Sequence, residues 1–302
     1  MILGTAADTT VSSIAAKAAG AVADTVKSAA AAEESAAKSG SWIIEHVTNS
    51  HTLDFLPFGE VHLPAIPTFH IAGIPIDMSI TKHVFMLWIV AILVFIVLKI
   101  VSRSYRKSLI PGRFASAVEM VIVFIRDDVV VPAIGEKGKR FLPYFLTLFF
   151  FILFSNFFEL VPYASTPSGD ISVTAALALI AFFVIQISGI RHNGFVGYFR
   201  GLVPPNIPIF AIPIIALVEV MGLFTKPFAL CVRLFANLLA GDIAIYSFIG
   251  LIFVFGTVLI APLAIGFALF IEILEVLVAF IQAYIFTTLT ALFVGMAIHQ
   301  EH

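Results

Sequence analysis

The chain has 302 residues, of which 60% are hydrophobic and only 12% charged, and its net charge at pH 7 is −2. Soluble domains carry about 25% charged residues, so this composition argues against a large soluble core and favours a protein that crosses a membrane several times. The near-neutral charge gives no electrostatic support to a nucleic-acid partner, and the single Cys231 excludes an intramolecular disulfide.

The first 80 residues differ in composition from the rest of the chain. Residues 1–40 are rich in alanine and serine and carry scattered charges of both signs. They lack the unbroken apolar core of a signal peptide, and they contain acidic residues but no arginine, which argues against a mitochondrial address. We predict a disordered or helical arm outside the membrane. Residues 41–80, with four prolines, predict an extended or loop segment on the same extracytoplasmic side.

Five apolar segments are long enough to cross a membrane, which takes about 20 residues. They cover residues 83–101, 141–162, 171–190, 206–256 and 262–298. The last two exceed one crossing, so they either tilt strongly or break at Pro213, Pro227, Gly241 and Gly256. Residues 114–135 mix apolar side chains with charges and predict an amphipathic helix along the interface. The expected fold class is an all-α integral membrane protein with five membrane-crossing helices, one interfacial amphipathic helix, and two long, strongly tilted helices at the end.

The distribution of basic residues predicts the orientation of the membrane domain, which we place at residues 81–302. Residues 102–140 hold eight of the seventeen lysines and arginines, whereas the hairpin over residues 162–170 has none. Basic loops stay on the cytoplasmic side, so that hairpin is expected outside. The N-terminus is then outside and the C-terminus cytoplasmic.

One arginine lies inside the fourth apolar segment. Placing a guanidinium in lipid costs roughly 2.5–3.5 kcal/mol, so Arg233 needs an explanation. In a helix, Arg233 and Asn237 share a face, and Glu219 lies close to that face about 21 Å earlier along the axis. Asp242 lies about 13 Å beyond Arg233 and half a turn round. One acid therefore lies toward each membrane surface.

The last segment carries a polar stripe made of Glu272, Glu275 and Gln282, at offsets of three and seven. An internal ion pair of Arg233 with Asp242 or Glu275 is the simplest interpretation. One arginine cannot neutralise four membrane acids, however, and the remainder must be protonated, hydrated or titrating, as a proton path requires.

Other polar residues are weaker candidates. Asn156 and Glu159 near the end of the second crossing, and Asp170 in the outer hairpin, fit either a channel mouth or an ordinary interface. Lys226 fits a side chain that reaches toward an interface. The eight histidines have no metal-ligand spacing, and there is no phosphate-binding loop, nucleophile elbow or zinc motif, so we predict no metal, no cofactor and no catalytic residue.

The stretches "KPFALCVRLFANLLAGD" and "IQAYIFTTLT", with "SNFFELVP" and "PSGDISVT" earlier in the chain, resemble subunit a of the F-type ATP synthase membrane sector. The resemblance covers roughly residues 80–302. It implies a non-catalytic, proton-translocating subunit that contacts a ring of c subunits and the b-subunit peripheral stalk in membrane lipid. It also implies two offset half-channels that reach the ring from opposite sides. The sequence does not decide between H⁺ and Na⁺ as the transported ion, and we expect H⁺.

The resemblance assigns roles to individual residues. It implies that Arg233 keeps the facing ring carboxyl ionised and blocks leakage between the half-channels. The polar positions of the outer half-channel correspond to Asn237, Asp242, Glu275 and Gln282, with Asn156 and Glu159 near its mouth, and Glu219 corresponds to an inner half-channel acid. Some bacterial members carry glutamate and histidine where this chain has Asp242 and Glu275, so here the two acids are expected to titrate as a coupled pair.

A secondary transporter and a structural membrane scaffold are the two alternative classes of protein. A self-contained secondary transporter would use Arg233 to bind an anionic substrate, but it predicts internal repeats and half-helix sites at the midplane, and the sequence has no convincing repeat. A purely structural membrane scaffold does not explain the excess of membrane acids. We expect the chain in a bacterial inner membrane.

Overall fold

The computed structural model describes residues 81–107, 112–160, 167–201, 208, 210–255 and 257–299, together with the backbone of four short strands between residues 52 and 76. The predicted arm over residues 1–40 lies outside the described residues. The described part divides into two compact units, one containing residues 49–241 and 272–302, the other residues 242–271.

Two short antiparallel hairpins precede the helices. Strand β1 (Thr52–Phe55) pairs with β2 (Gly59–His62), and β3 (Phe69–Ile71) pairs with β4 (Ile74–Ile76). Both lie in the segment for which the prolines predict extended or loop backbone. The side of the membrane on which they lie stays a prediction.

Helices make up the rest of the described architecture, and their bounds follow the apolar segments closely. They are α1 (Lys82–Lys107), α2 (Arg113–Phe124), α3 (Val131–Ile134), α4 (Leu142–Glu159), α5 (Ile171–Asn193), α6 (Phe195–Arg200), α7 (Ile212–Phe255) and α8 (Ala261–Ile298). Among the described residues five helices, α1, α4, α5, α7 and α8, are long and apolar enough to cross a membrane. The predicted fold class, an all-α integral membrane protein, is confirmed.

The two long helices are unbroken. Helix α7 has 44 residues and α8 has 38. At 1.5 Å per residue they measure about 66 Å and about 57 Å, roughly twice the 30 Å hydrocarbon core. Pro227 and Gly241 lie inside α7 without ending it. Of the two alternatives that the sequence left open, strong tilt therefore fits and a break at Pro227 or Gly241 does not.

The predicted interfacial helix is a composite. Helix α2 continues through a π-helical stretch, Ile125–Val130, into α3, and Gly135 ends it with φ +85°. Its charged side is exposed and carries an ion pair between Arg126 and Asp127, with N and O 2.7 Å apart. The hydrogen bond from Arg126 lowers the pKa of the Asp127 carboxyl. The opposite side buries Val129 and Val130, as an amphipathic helix should.

Helix α1 shows how the larger unit is packed. Its residues Val90, Val94, Val97 and Val101 recur at helical spacing and are all buried. The other side of α1 is also apolar, with Trp88 and its neighbours exposed. A helix that is apolar all round is typical of a membrane span that has protein on one side and lipid on the other. The core continues into α4, α5 and α8.

The smaller unit contains the end of α7 and the beginning of α8. Within it the rings of Phe248 and Phe267 stack with their centroids 5.3 Å apart. This contact holds the two helix ends together around their short connection, which includes a 3₁₀ turn at Val258–Ile260.

Candidate ion-translocation site

Helices α7 and α8 pack antiparallel within the larger unit, and three contacts set their register. The Lys226 ammonium lies 5.3 Å from the centroid of the Phe293 ring. Further along α7, Asn237 reaches Gln282, and Gly241 reaches Glu275. As position increases along α7 it decreases along α8, so the polar positions predicted on each helix face one another.

Arg233 lies between the first two of these contacts and is exposed. Leu230 and Leu234, which flank it on α7, are buried at 2% and 0%. Within the part of the chain that the structure describes, Arg233 makes no ion pair and no hydrogen bond. The internal ion pair that the sequence suggested as the simplest interpretation is therefore not formed with any described residue.

One turn beyond Arg233, an amide pair joins α7 to α8. The Asn237 Nδ2 donates to the Gln282 Oε1 at 2.9 Å. Gln282 is only 2% exposed, and no described residue accepts a hydrogen bond from its own Nε2. A buried amide donor costs free energy unless a partner or a water satisfies it, so this position is suited to a hydrated polar path.

The backbone of α7 approaches the Glu275 carboxyl very closely. A Cβ added at Gly241 would overlap the Glu275 Oε1 and lie 3.0 Å from its Cδ. Only glycine lets a backbone come so near a carboxylate. Glu272, on the same stripe as Glu275, is also half-buried. Asp242 follows Gly241 in the continuous α7, so its spacing from Arg233 is helical as predicted.

The outer channel-mouth candidates lie near the end of α4 and the start of α5. Asn156 is 2% exposed, and its Oδ1 accepts from the Ser168 hydroxyl at 3.1 Å. The rings of Phe157 and Phe280, 5.0 Å apart, bring this end of α4 to the level of α8 that carries Glu275 and Gln282. Glu159, the last residue of α4, is half-buried there.

Asp170 has a structural role that the sequence did not predict. Its Oδ1 accepts a hydrogen bond from the Ser172 backbone N–H at 2.8 Å, which makes Asp170 the N-cap of α5. A side-chain cap satisfies one of the free N–H groups at the start of a helix. A place for Asp170 at the channel mouth stays a prediction.

A cavity lies at the other end of the larger unit. Its volume is about 270 Å³, and most of its lining is apolar and comes from α5, α7 and α8. The polar and charged residues of the lining are Gln186, Tyr198, Glu219, Lys226 and His299. The predicted inner half-channel acid, Glu219, therefore opens into a space large enough for several waters.

Tyr198 forms one wall of this cavity. It is 1% exposed, and its hydroxyl donates to the Gln186 Oε1 at 2.5 Å. Burial raises the pKa of the Tyr198 phenol, and the hydrogen bond to Gln186 opposes this shift. A Cβ on Gly189 would run into the Tyr198 ring, so the glycine allows α6 to pack directly on α5.

Buried apolar side chains lie at the level of Arg233, between the two polar regions. They are Ala283 and Phe286 on α8, which are both fully buried, and the buried hydroxyl of Thr287 follows them on the same helix. The amide pair and Glu275 lie on one side of this level, and the Glu219 cavity lies on the other. Only Arg233 carries a charge at that level of α7.

The sequence does not predict a common site for several residues of the cavity. The sequence predicts that Lys226 reaches toward an interface, and in the structure it lies over an aromatic ring in the cavity that Glu219 lines. His299 has no metal-ligand spacing and lies near the end of the given sequence, so no pattern indicates a role for it. Gln186 and Tyr198 are ordinary in the sequence, and only the packing of α6 brings them to Glu219. Among the described residues, no group of histidine, cysteine and acidic side chains is arranged to hold a metal ion.

Comparison with known proteins adds the family context. A family model described as ATP synthase A chain matches residues 84–295. The chain is 49% identical over 263 residues to "ATP synthase subunit a" of Chloroherpeton thalassium, a match that covers 86% of this chain and 77% of the relative.

Two further relatives give the same picture. "ATP synthase subunit a 2" of Chlorobaculum tepidum is 42% identical over 299 residues, covering 97% of this chain and 82% of the relative. "ATP synthase subunit a" of Myxococcus xanthus is 45% identical over 229 residues, covering 75% of each chain. The matched residues include Arg233, Glu219 and the Asn237–Gln282 pair, and end before His299.

Proposed function

Because the chain belongs to the ATP synthase A chain family and is a membrane-sector subunit of the F-type ATP synthase, we propose that it is the stationary subunit through which ions reach the rotor. It works in a complex with other subunits of that sector. In the proposed role it is non-catalytic, because ATP is bound elsewhere in the complex, and it guides H⁺ to and from carboxyls carried by a ring of c subunits.

The exposed, unpaired state of Arg233 is the observation that carries this proposal. A guanidinium on a membrane helix is stable only with a counter-charge, a hydrated path or a reachable interface. Arg233 has no ion pair within the described part of the chain, so the proposed counter-charge is a carboxylate of the ring. Attraction at short range in a medium of low dielectric keeps that carboxylate ionised as it passes.

The two polar regions supply the two half-channels of the proposed mechanism. Asn156 and Glu159 would receive protons at the outer mouth, and the deeper outer path would pass Glu275, Asp242, Gln282 and Asn237. Glu219 and its cavity would form the inner path. The buried apolar side chains of Ala283 and Phe286 at the level of Arg233 support the proposed separation of the two paths.

Packing also supports the proposed orientation. The cavity end of the larger unit lies beside the basic clusters, because Asn193 donates to the Ala297 carbonyl and the His299 ring is bonded to the Ile134 carbonyl. Lys137, Lys139 and Arg140 follow Ile134, and Arg191 precedes Asn193. By the positive-inside rule this end is cytoplasmic. The N-terminus is then outside, in what we propose is a bacterial inner membrane, with the b-subunit stalk as a further partner.

Substitution of Arg233 tests the proposal. In the assembled complex, Arg233→Ala is expected to lower ATP-driven proton pumping by at least about 100-fold, because a preorganised charge is lost. Pumping is measured by quenching of a pH-sensitive dye in inverted membrane vesicles. Arg191→Ala, which removes an exposed arginine at the end of α5, is the matched control and should pump normally. Wild-type pumping by Arg233→Ala would refute the proposal.

A further inference from the structure

His299 stands at the cytoplasmic edge of the Glu219 cavity and has no role in the mechanism above. It follows the last residue of α8, is exposed, and is among the residues that line the cavity. His299 therefore lies at the boundary between the outside and the space in which Glu219 lies. Histidine is the residue that ordinarily changes charge between about pH 5 and 8.

One contact orients the imidazole. The His299 Nε2 lies 2.9 Å from the backbone carbonyl oxygen of Ile134. A carbonyl oxygen only accepts hydrogen bonds, so Nε2 carries the hydrogen and donates it. In the neutral ring the other nitrogen, Nδ1, then holds a lone pair that is able to take a proton. This hydrogen bond to Ile134, which anchors the ring, thus leaves Nδ1 as the one proton-accepting atom of the neutral imidazole at the edge of the cavity.

We propose that His299 is the proton-exchange group between the inner cavity and the cytoplasm, a step that rests on the proposed function. When protons leave toward the cytoplasm, the Glu219 carboxyl releases its proton through cavity water to the His299 Nδ1. The imidazolium then returns that proton from Nδ1 to bulk water. The reverse sequence loads Glu219 during ATP-driven pumping, and Nε2 keeps its hydrogen throughout.

Charged groups of both signs lie in the cavity. From α7 it receives the Glu219 carboxyl and the Lys226 ammonium. The Lys226 charge lies over the Phe293 ring, whose face attracts it. Helix α6 contributes the Tyr198 phenol, and α5 contributes only a neutral amide.

The segment after α3, beside the anchoring carbonyl, carries a mixed set of charges. They are Glu136, Lys137, Lys139 and Arg140, and Glu136 pairs with Lys139.

The alternative is that His299 only anchors the end of α8 to Ile134. His299→Gln separates the two roles, because the glutamine amide is able to donate to the same carbonyl but does not titrate. His299→Ala removes both the anchor and the proton carrier. His192→Ala is the matched control, since His192 is exposed on α5 and does not line the cavity.

The experiment uses the complete ATP synthase in inverted vesicles, whose cytoplasmic face is accessible to the medium. The rate of carbodiimide-sensitive ATP hydrolysis is measured from pH 6 to 9. An uncoupler is present throughout, because it abolishes the proton gradient through which added weak bases would otherwise act. His299→Gln is expected to lower this rate by about tenfold, as loss of a positioned acid–base group does. His192→Ala should match the wild type.

Added imidazole distinguishes the two roles, because it should not change the hydrolysis rate of the variant if His299 is only structural. It should restore at least half of the rate lost in His299→Ala, and a series of methylimidazoles should show rescue that varies with buffer pKa. A wild-type rate in His299→Gln would overturn the inference. A slow His299→Gln with no buffer response in His299→Ala would also overturn it, because His299 would then be an anchor. Wild-type proton pumping by Arg233→Ala would refute the proposed function instead.

Discussion

Helices α4 and α7 are both long enough to span a membrane, but they present different surfaces. In the apolar window of α4, 44% of the residues are buried within the chain, whereas in α7 the share is 17%. Helix α4 places its polar Asn156 inward against Ser168, while α7 leaves Arg233 exposed. Helix α4 is internal framework, whereas α7, like α8 with the same share of 17%, leaves most of its surface outside the chain's own core. This contrast supports the proposal that α7 faces a partner.

The largest effect should come from damage to the framework. Gly295 on α8 packs so closely on α3 that an added Cβ would overlap the Ala133 carbonyl oxygen. Backbone cannot move aside as a side chain can, so Gly295→Ala should destabilise the subunit by about 1–3 kcal/mol. We expect loss of the subunit from membranes, measured by immunoblot, and a lower melting temperature of the purified complex.

Gly266→Ala is the control for that substitution. It lies on the same helix, and an added Cβ there would meet no atom within 4 Å. Normal amounts of a Gly295→Ala subunit with an unchanged melting temperature would show that the framework at this end of α8 is looser than its packing indicates.

An intermediate effect should follow from loss of the amide pair. Gln282→Leu keeps the buried volume but removes the acceptor of Asn237 and a polar group from the proposed outer path. Proton pumping should fall by roughly 10- to 100-fold with the complex intact. In a double-mutant cycle, Asn237→Leu should add little to Gln282→Leu. Additive losses would mean that the two amides act separately.

The smallest effect should come from displacing the Glu275 carboxyl without removing it. Gly241→Ala would push against the flexible end of that side chain, which is able to move. Assembly should be normal, and pumping should fall by less than about tenfold because a small misplacement is enough to slow a positioned group. Gly222→Ala on the same helix, with open space around it, should pump like the wild type. Identical rates in the two variants would argue that the position of Glu275 is not critical.

The sequence predicted the framework better than the contacts of the polar face. The five crossings follow from apolar length alone, and the positions of Arg233, Asn237 and Glu219 along α7 follow from helical spacing. Periodicity along one helix carries no information about its neighbour. The pairing of Asn237 with Gln282 therefore required the register between α7 and α8.

The inner cavity was the least predictable part. Lys226, Tyr198 and His299 are separated along the chain, and each is unremarkable in its local sequence. Their common location depends on the short helix α6 turning back onto Gly189 of α5. Asp170 shows the converse limit, since its polar character invited a functional interpretation and its cap on α5 gives it a structural one.

The continuity of α7 through Pro227 has a mechanical consequence. Glu219, Arg233 and Asn237 lie on one continuous helix, so their spacing along the axis is set by the helical rise rather than by packing between separate elements. A force that the proposed rotor applies at Arg233 would therefore be passed to Glu219 and Asn237 along the same helix. Pro227 has no N–H to donate and lies between Glu219 and Arg233, so the helix is expected to bend more easily on the Glu219 side than on the Asn237 side.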